Sequence, residues 1–395
     1  MTSSHRRTYV DWARGIAVLL MIEAHTADAW TRLSPTVRRT IPFRDATVLG
    51  GFAAPLFLWL AGLAVVLAAT RTAERTGSRR AASDMICRRG LEIFILGFLF
   101  RLQGFIITPG SHPVTLFRVD ILNVMGPAIA VAGIVWGLAR TAKARVCWYA
   151  AIASGFAMAT PIVRASQAVD ALPIWLQWYA RPAGEFTIFT LFPWAGFVFA
   201  GGAVGALIAA AREASAETRL HAILGATGAA LVALGFYTAA RPSIYASSSF
   251  WTSSPTWFAI RVGILMIALT VIYGCEAVFA ALKGRATREK ALGRAESDVA
   301  QGRARSDVAQ GFSPAIDPLA RLGRSSLFIY WIHVELVYGY ASWMWRHRLP
   351  LWGTAMAFVL FCLLMYRAIG WRDLVVGKWR NRSRGTRPAR HTATA

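Results

Sequence analysis

The stretch that decides the fold runs from Tyr9 to Trp30: Tyr-Val-Asp-Trp-Ala-Arg-Gly-Ile-Ala-Val-Leu-Leu-Met-Ile-Glu-Ala-His-Thr-Ala-Asp-Ala-Trp. Its apolar centre is long enough to enter a bilayer, and Arg6 and Arg7 precede it. A secretory signal peptide opens in the same way. Glu23, His25 and Asp28 argue against cleavage, because they put charge where a cleavage region is bland. The segment therefore reads as a retained first transmembrane helix with ionisable groups at both ends.

The same apolar pattern recurs along the whole chain. Of its 395 residues, 56% are hydrophobic and only 16% charged, well below the quarter or so of a soluble domain. Apolar runs of bilayer-crossing length fall at about 12–30, 46–69, 90–107, 121–139, 146–163, 188–211, 220–240, 256–281, 325–344 and 351–369. A shorter run, Leu172 to Tyr179, is too short to span and reads as an interfacial or re-entrant piece. The expected fold is an all-α polytopic transmembrane bundle of about ten spans.

The formal charge of +23 sits in the connections between these runs. That placement, with no nucleic-acid-binding motif, excludes a nucleic-acid partner and makes the lipid bilayer the partner instead. With the amino terminus inside, 31 of the 43 Lys and Arg residues fall on the inner side, so both termini are expected to be cytoplasmic. Nine or eleven spans would put one of the two most basic segments outside. Residues 1–281 then form spans one to eight. Residues 282–318, which repeat Ser-Asp-Val-Ala-Gln-Gly at 297–302 and 306–311, read as a flexible cytoplasmic linker. Residues 319–369 supply the last two spans, and 370–395 a basic, disordered tail. The excess of Arg over Lys, with abundant Ala, suggests a GC-rich bacterial genome, and the spans then imply a multi-pass protein of the inner membrane.

Cys87, Cys147, Cys275 and Cys362 lie in or beside different runs and read as small core residues rather than ligands or disulfide partners. The histidines show no metal-ligand spacing, and no Walker A or dinucleotide motif is present, so no metal or nucleotide cofactor is expected.

Ionisable groups inside spans cost roughly 2.5–3.5 kcal/mol each to insert and mark functional candidates. His25 and Asp28 share a helix face. Asp28 or Glu23 beside the imidazole could fix its tautomer and leave the other nitrogen as a general base or acyl carrier. The plainer account is an interfacial hydrogen bond. At the other end of the span, Asp11 and Arg14 either cap the helix as an ion pair or bring Arg14 to the phosphates of a cytosolic donor. Arg101, Asp120, Asn123, His333 and Glu335 add polar groups near the outer half of the membrane, as ligand contacts or as interhelical hydrogen bonds. Gly50-Gly51, Gly201 to Gly205 and Gly225 to Gly228 read as sites of close helix approach.

Five blocks carry a family resemblance. They are Asp11-Trp-Ala-Arg-Gly-Ile-Ala-Val-Leu-Leu-Met-Ile22 with His25; Gly51-Phe-Ala-Ala-Pro-Leu-Phe-Leu-Trp-Leu-Ala-Gly62; Val119-Asp-Ile-Leu-Asn-Val-Met-Gly126; Phe192-Pro-Trp-Ala-Gly-Phe197; and Leu322-Gly-Arg-Ser-Ser-Leu-Phe-Ile-Tyr-Trp-Ile-His333. In this order the chain resembles the bacterial relatives of heparan-α-glucosaminide N-acetyltransferase, from Tyr9 to about Tyr340. The resemblance implies a membrane acyltransferase. Its donor would be cytosolic acetyl-CoA, and its acceptor an amine or hydroxyl small molecule, such as a sugar, on the outer side. His25 is the position that matches the family's membrane-embedded histidine. A homodimer is compatible with this reading. The alternative from another class is a transporter or flippase for a small polar or anionic molecule, which would use the same intramembrane groups as a pathway. The two halves of the chain show no similarity to each other, which counts against transport.

Overall fold

A computed structural model describes residues 7–107, 112–187, 189–300 and 317–385. The described residues form fourteen α-helices with short 3₁₀ turns and no strand. In chain order these are α1 (Thr8–Trp30), α2 (Pro35–Arg39), α3 (Ile41–Gly50), α4 (Ala53–Thr76), α5 (Arg79–Ile107), α6 (Ile121–Leu138) and α7 (Ala142–Ala165). They continue as α8 (Ile174–Ala180), α9 (Leu191–Ala210), α10 (Ala214–Ala239), α11 (Pro255–Ala300), α12 (Pro318–Arg324), α13 (Ser326–Tyr338) and α14 (Leu351–Gly385).

Eight helical stretches among these residues are long and apolar enough to cross a membrane: 41–76, 79–107, 121–138, 142–165, 191–210, 214–239, 255–282 and 351–379. The other two expected spans differ for physical reasons. Helix α1 has the length, at 23 residues, but Asp11, Arg14, Glu23 and Asp28 leave at least three charges in any 18-residue stretch. The ninth expected span is a broken helix: α12 ends at Arg324 with Ser325 as the break, and α13 adds 13 residues, about 20 Å of rise. Helix α8 has seven residues, too short to span, and its Trp178 stacks on Phe186 with ring centroids 5.0 Å apart.

Two expected boundaries shift. Helix α11 runs on to Ala300, so the first part of the segment expected to be a flexible linker is helical. Residues 282–300 are rich in Ala, Arg, Glu and Lys, which are strong helix formers. The second copy of the repeat lies outside the described residues. Likewise α14 carries the first part of the expected disordered tail as helix to Gly385, and residues 386–395 lie outside the described residues.

The bundle is organised around α1. Its first half packs on α4, α11 and α12, and its second half on α3, α13 and α14. The close pairs α4–α9, α5–α6, α7–α9 and α10–α11 surround this axis. Close approach relies on missing side chains, the usual device where lipid supplies no hydrophobic drive between helices. A Cβ on Gly62 would fall 1.8 Å from the Val198 carbonyl oxygen, and one on Gly201 would fall 1.8 Å from that of Trp59. Gly15 and Gly323 do the same between α1 and α12, where a Cβ on Gly323 would sit 2.0 Å from the Asp11 oxygen. That contact sets α12–α13 directly against the charged helix.

The carboxyl end of α1 is strapped by a distant segment. The amide of Arg32 donates to the Leu349 carbonyl at 2.8 Å, that of Leu349 to Trp30 at 3.0 Å, and that of His347 to Ala29 at 2.9 Å. The Trp30 indole donates to the Val337 carbonyl at 3.2 Å.

Candidate functional site

A cavity of about 1060 Å³ runs between α1, α4, α5, α6 and α12–α13. Along α1 it is lined from Arg14 to Asp28, about 21 Å of helix, and along α4 from Ala53 to Ala68, about 22 Å. Its length therefore covers most of the roughly 30 Å hydrocarbon layer. Its two ends differ in chemistry. At the Arg14 end, Arg89 and Arg324 also line it. Its middle is apolar, walled by Phe57, Ala61, Ala64 and Val65. The far end carries His25, Asp28, Arg101, Asp120, Tyr330 and Tyr338.

His25 sits where α1 faces α13. Its Nδ1 is 2.8 Å from Nε2 of His333, and the two ring planes lie within 3° of parallel. His333 is fully enclosed, and its Nδ1 is 2.8 Å from the carbonyl oxygen of Ile329, one turn back on α13. A carbonyl only accepts, so His333 Nδ1 carries a proton. With both rings neutral, His333 Nε2 is then an acceptor and His25 Nδ1 donates to it. The chain of donors ends at His25 Nε2, which is left with its lone pair on a residue that lines the cavity.

This is not the arrangement expected from the sequence. Asp28 accepts from the Tyr338 hydroxyl at 2.9 Å, and no hydrogen bond joins it to His25. One carboxylate oxygen of Glu23 is buried without a partner, close to Gly50 on α3, and Glu23 does not line the cavity. The tautomer of His25 is set instead by His333, 308 positions away.

Asp120 is the second centre. It caps α6: its Oδ1 accepts from the Ile121 amide at 2.6 Å, and Asn123 Oδ1 accepts from the Asp120 amide at 3.2 Å, a reciprocal capping box. Its Oδ2 pairs with Arg101 of α5 and accepts from the Tyr330 hydroxyl of α13 at 3.4 Å. One carboxylate thus joins three helices at the cavity wall. Asn123 stands behind this cap against Gly97 and does not reach the cavity. The Glu335 carboxylate faces Gly104 of α5, outside the cavity, and Asp11 pairs with Arg14 at 4.0 Å.

Of the residues expected from the sequence, the structure therefore gathers Arg14, His25, Asp28, Arg101 and Asp120 on one cavity, with His333 directly behind His25. Arg89, Arg324, Tyr330 and Arg346 join them without having been singled out. Arg324 and Tyr330 stood in the fifth motif block; Arg89 carried no signal beyond being one of many basic residues near a span. Among the described residues no three His, Cys, Asp or Glu side chains gather as metal ligands would.

Residues 6–242 match the family described as heparan-alpha-glucosaminide N-acetyltransferase, catalytic. The chain belongs to this family. No individually curated protein matches it. The matched region carries His25, Asp120 and the α4 wall of the cavity, whereas His333 lies beyond it. Acetyltransferases of the family use acetyl-CoA as donor. Membership, with the eight long apolar helices, makes this a multi-pass membrane protein of acyltransferase type.

Proposed function

We propose that this family member moves an acetyl or short acyl group from cytosolic acyl-CoA to an amine or hydroxyl acceptor, a sugar for example, that enters from the other side of a bacterial inner membrane. The observation that carries this reading is the position of His25: its oriented imidazole lines a cavity that extends toward both faces of the bundle.

In this reading both termini are cytoplasmic, so the Arg14, Arg89 and Arg324 end opens toward the cytosol. Guanidinium groups there suit the phosphates of CoA. The apolar middle suits the uncharged arm that carries the thioester. The acceptor enters at the Asp28 and Tyr338 end. His25 Nε2 takes the proton from the acceptor amine or hydroxyl as that atom attacks the thioester carbonyl carbon. The tetrahedral intermediate collapses, the carbon–sulfur bond breaks, and the proton on Nε2 passes to the departing thiolate. The products are the acylated acceptor and free CoA thiol. His333 keeps Nδ1 of His25 occupied throughout, so that only Nε2 can accept the proton. Arg101, held by Asp120, places a positive group near the developing oxyanion.

The test is calorimetry with acetyl-CoA against free CoA on the purified full-length protein, coupled to transfer assays with amine and hydroxyl sugars. Saturable binding, with transfer lost in His25→Ala and binding retained, is expected. Failure to bind acyl-CoA, or full transfer by His25→Ala, overturns the proposal.

A further inference from the structure

A second pocket, of about 440 Å³, opens at the end of the bundle that also holds Asp28, and it is polar. It lies between the carboxyl end of α7 and the loop that joins α10 to α11. Arg164 lines it together with the hydroxyl-bearing Ser247, Ser248, Ser249, Thr252 and Ser253. Arg164 spends one amino nitrogen on the segment before α9, donating to Thr190 Oγ1 at 3.3 Å and to the Phe192 carbonyl at 3.1 Å. Among the described residues its Nε is buried with no partner, and its other amino nitrogen has no hydrogen-bond acceptor. Among the described residues no carboxylate pairs with it or lines the pocket. A guanidinium in this state, ringed by hydroxyl donors, is the chemistry that recognises an oxyanion.

The surroundings say which oxyanion. Ile162 is 61% exposed, Ile244 80% and Trp251 57%, and all three neighbour the pocket residues in sequence. In a membrane-spanning bundle such side chains face lipid, and a tryptophan near a helix end marks the headgroup level. The guanidinium and hydroxyls therefore sit where lipid phosphates lie, with apolar groups around them for acyl chains.

We infer that this pocket binds the phosphate of a phospholipid headgroup. The residues that would hold it are Arg164, Ser247 and Ser248, whose hydroxyls make no hydrogen bond to described protein groups. The site requires nothing of the acyl-transfer reaction. Its link to the cavity is mechanical, because Arg164 also holds the Thr190–Phe192 segment between Phe189 and Trp194, which line the cavity.

Native mass spectrometry of the full-length protein in neutral detergent tests it, with phosphatidylglycerol, diacylglycerol or inorganic phosphate added separately. Wild type is expected to retain one phosphatidylglycerol saturably and no diacylglycerol. Arg164→Gln is expected to weaken that retention about tenfold or more, since a charged hydrogen-bond partner is lost. The double variant Ser247→Ala/Ser248→Ala removes no side-chain hydrogen bond to a described protein group and is expected to weaken it in the same direction while keeping wild-type melting behaviour. Equal retention by wild type and both variants would overturn the site. Binding of inorganic phosphate with no lipid retained would overturn the lipid as its source.

Discussion

His25 and His333 form a single hydrogen-bonded unit, Nδ1 to Nε2 at 2.8 Å, anchored at its far end on the Ile329 carbonyl. A general base contributes typically 10²- to 10⁴-fold, and His25→Ala is expected to lose transfer by about that factor while acyl-CoA binding persists. His333→Ala is expected to lower kcat by a smaller factor with KM for acyl-CoA unchanged, because it removes orientation and not the base. Nitrogen-15 NMR of labelled histidines checks the arrangement directly: protonated Nδ1 and bare Nε2 on His25 in wild type, and a mixture of tautomers in His333→Ala. A wild-type tautomer pattern in the variant would sink the relay.

The three arginines at the Arg14 end make a separable prediction. Neutralising Arg14, Arg89 and Arg324 to Gln is expected to raise KM for acetyl-CoA about tenfold or more, as charge-assisted bonds to phosphate are lost. The acetyl thioester of pantetheine, which lacks phosphate, should show no such change. Kinetics with the two donors side by side decide it. Equal losses with both would mean the arginines act on the fold.

Breaking the Arg101–Asp120 pair is expected to be costly. Removing one partner of a buried pair leaves an uncompensated charge worth about 3–5 kcal/mol. Asp120→Ala loses the pair and the α6 cap together, whereas Asp120→Asn keeps a good capping side chain. Thermal unfolding in detergent should therefore rank wild type above Asp120→Asn and Asp120→Ala last.

The α4–α9 contact offers a sharp contrast between two single-methyl changes. At Gly62 an added Cβ would meet the Val198 oxygen at 1.8 Å, while at Gly155 it would meet nothing within 4 Å. Gly62→Ala is expected to separate the helices and lose the monodisperse peak in size-exclusion chromatography. Gly155→Ala should elute like wild type and gain slightly in stability, since alanine is the better helix former.

Eight of the ten expected spans are long apolar helices, and these were legible because hydropathy is a local property. Helix α1 and the broken α12–α13 were legible as elements yet differ from ordinary spans. Asp11 of α1 is buried against neighbouring helices while Asp28 stays exposed on the cavity, and Gly323 lets α12 approach α1 one residue before its helix ends. The site divides the same way. His25, Asp28, Arg14 and Asp120 were visible as ionisable groups in apolar surroundings. Which group orients His25 was not visible: Asp28 is three residues away and on the same face, but its partner is Tyr338, and the imidazole turns to His333. Sequence neighbourhood favours the near partner, and packing chose the far one. The Arg164 pocket was missed because hydroxyl-rich loops are common, and only the fold brings this one over a guanidinium.

The strap between Ala29–Arg32 and His347–Leu349, with the histidine pair beside it, has a consequence for how the chain is made. Helix α1 is synthesised first, and its partners on α13 and the strap are synthesised among the last. At 5–20 residues per second, the 308 residues between His25 and His333 take roughly 15 to 60 s to appear. For that time a helix carrying Asp11, Arg14, Glu23 and Asp28 waits in or beside the insertion machinery without its partners on α13 and the strap. The site therefore cannot be assembled piecemeal: a chain cut short before the last two helices holds His25 in place with nothing to orient it.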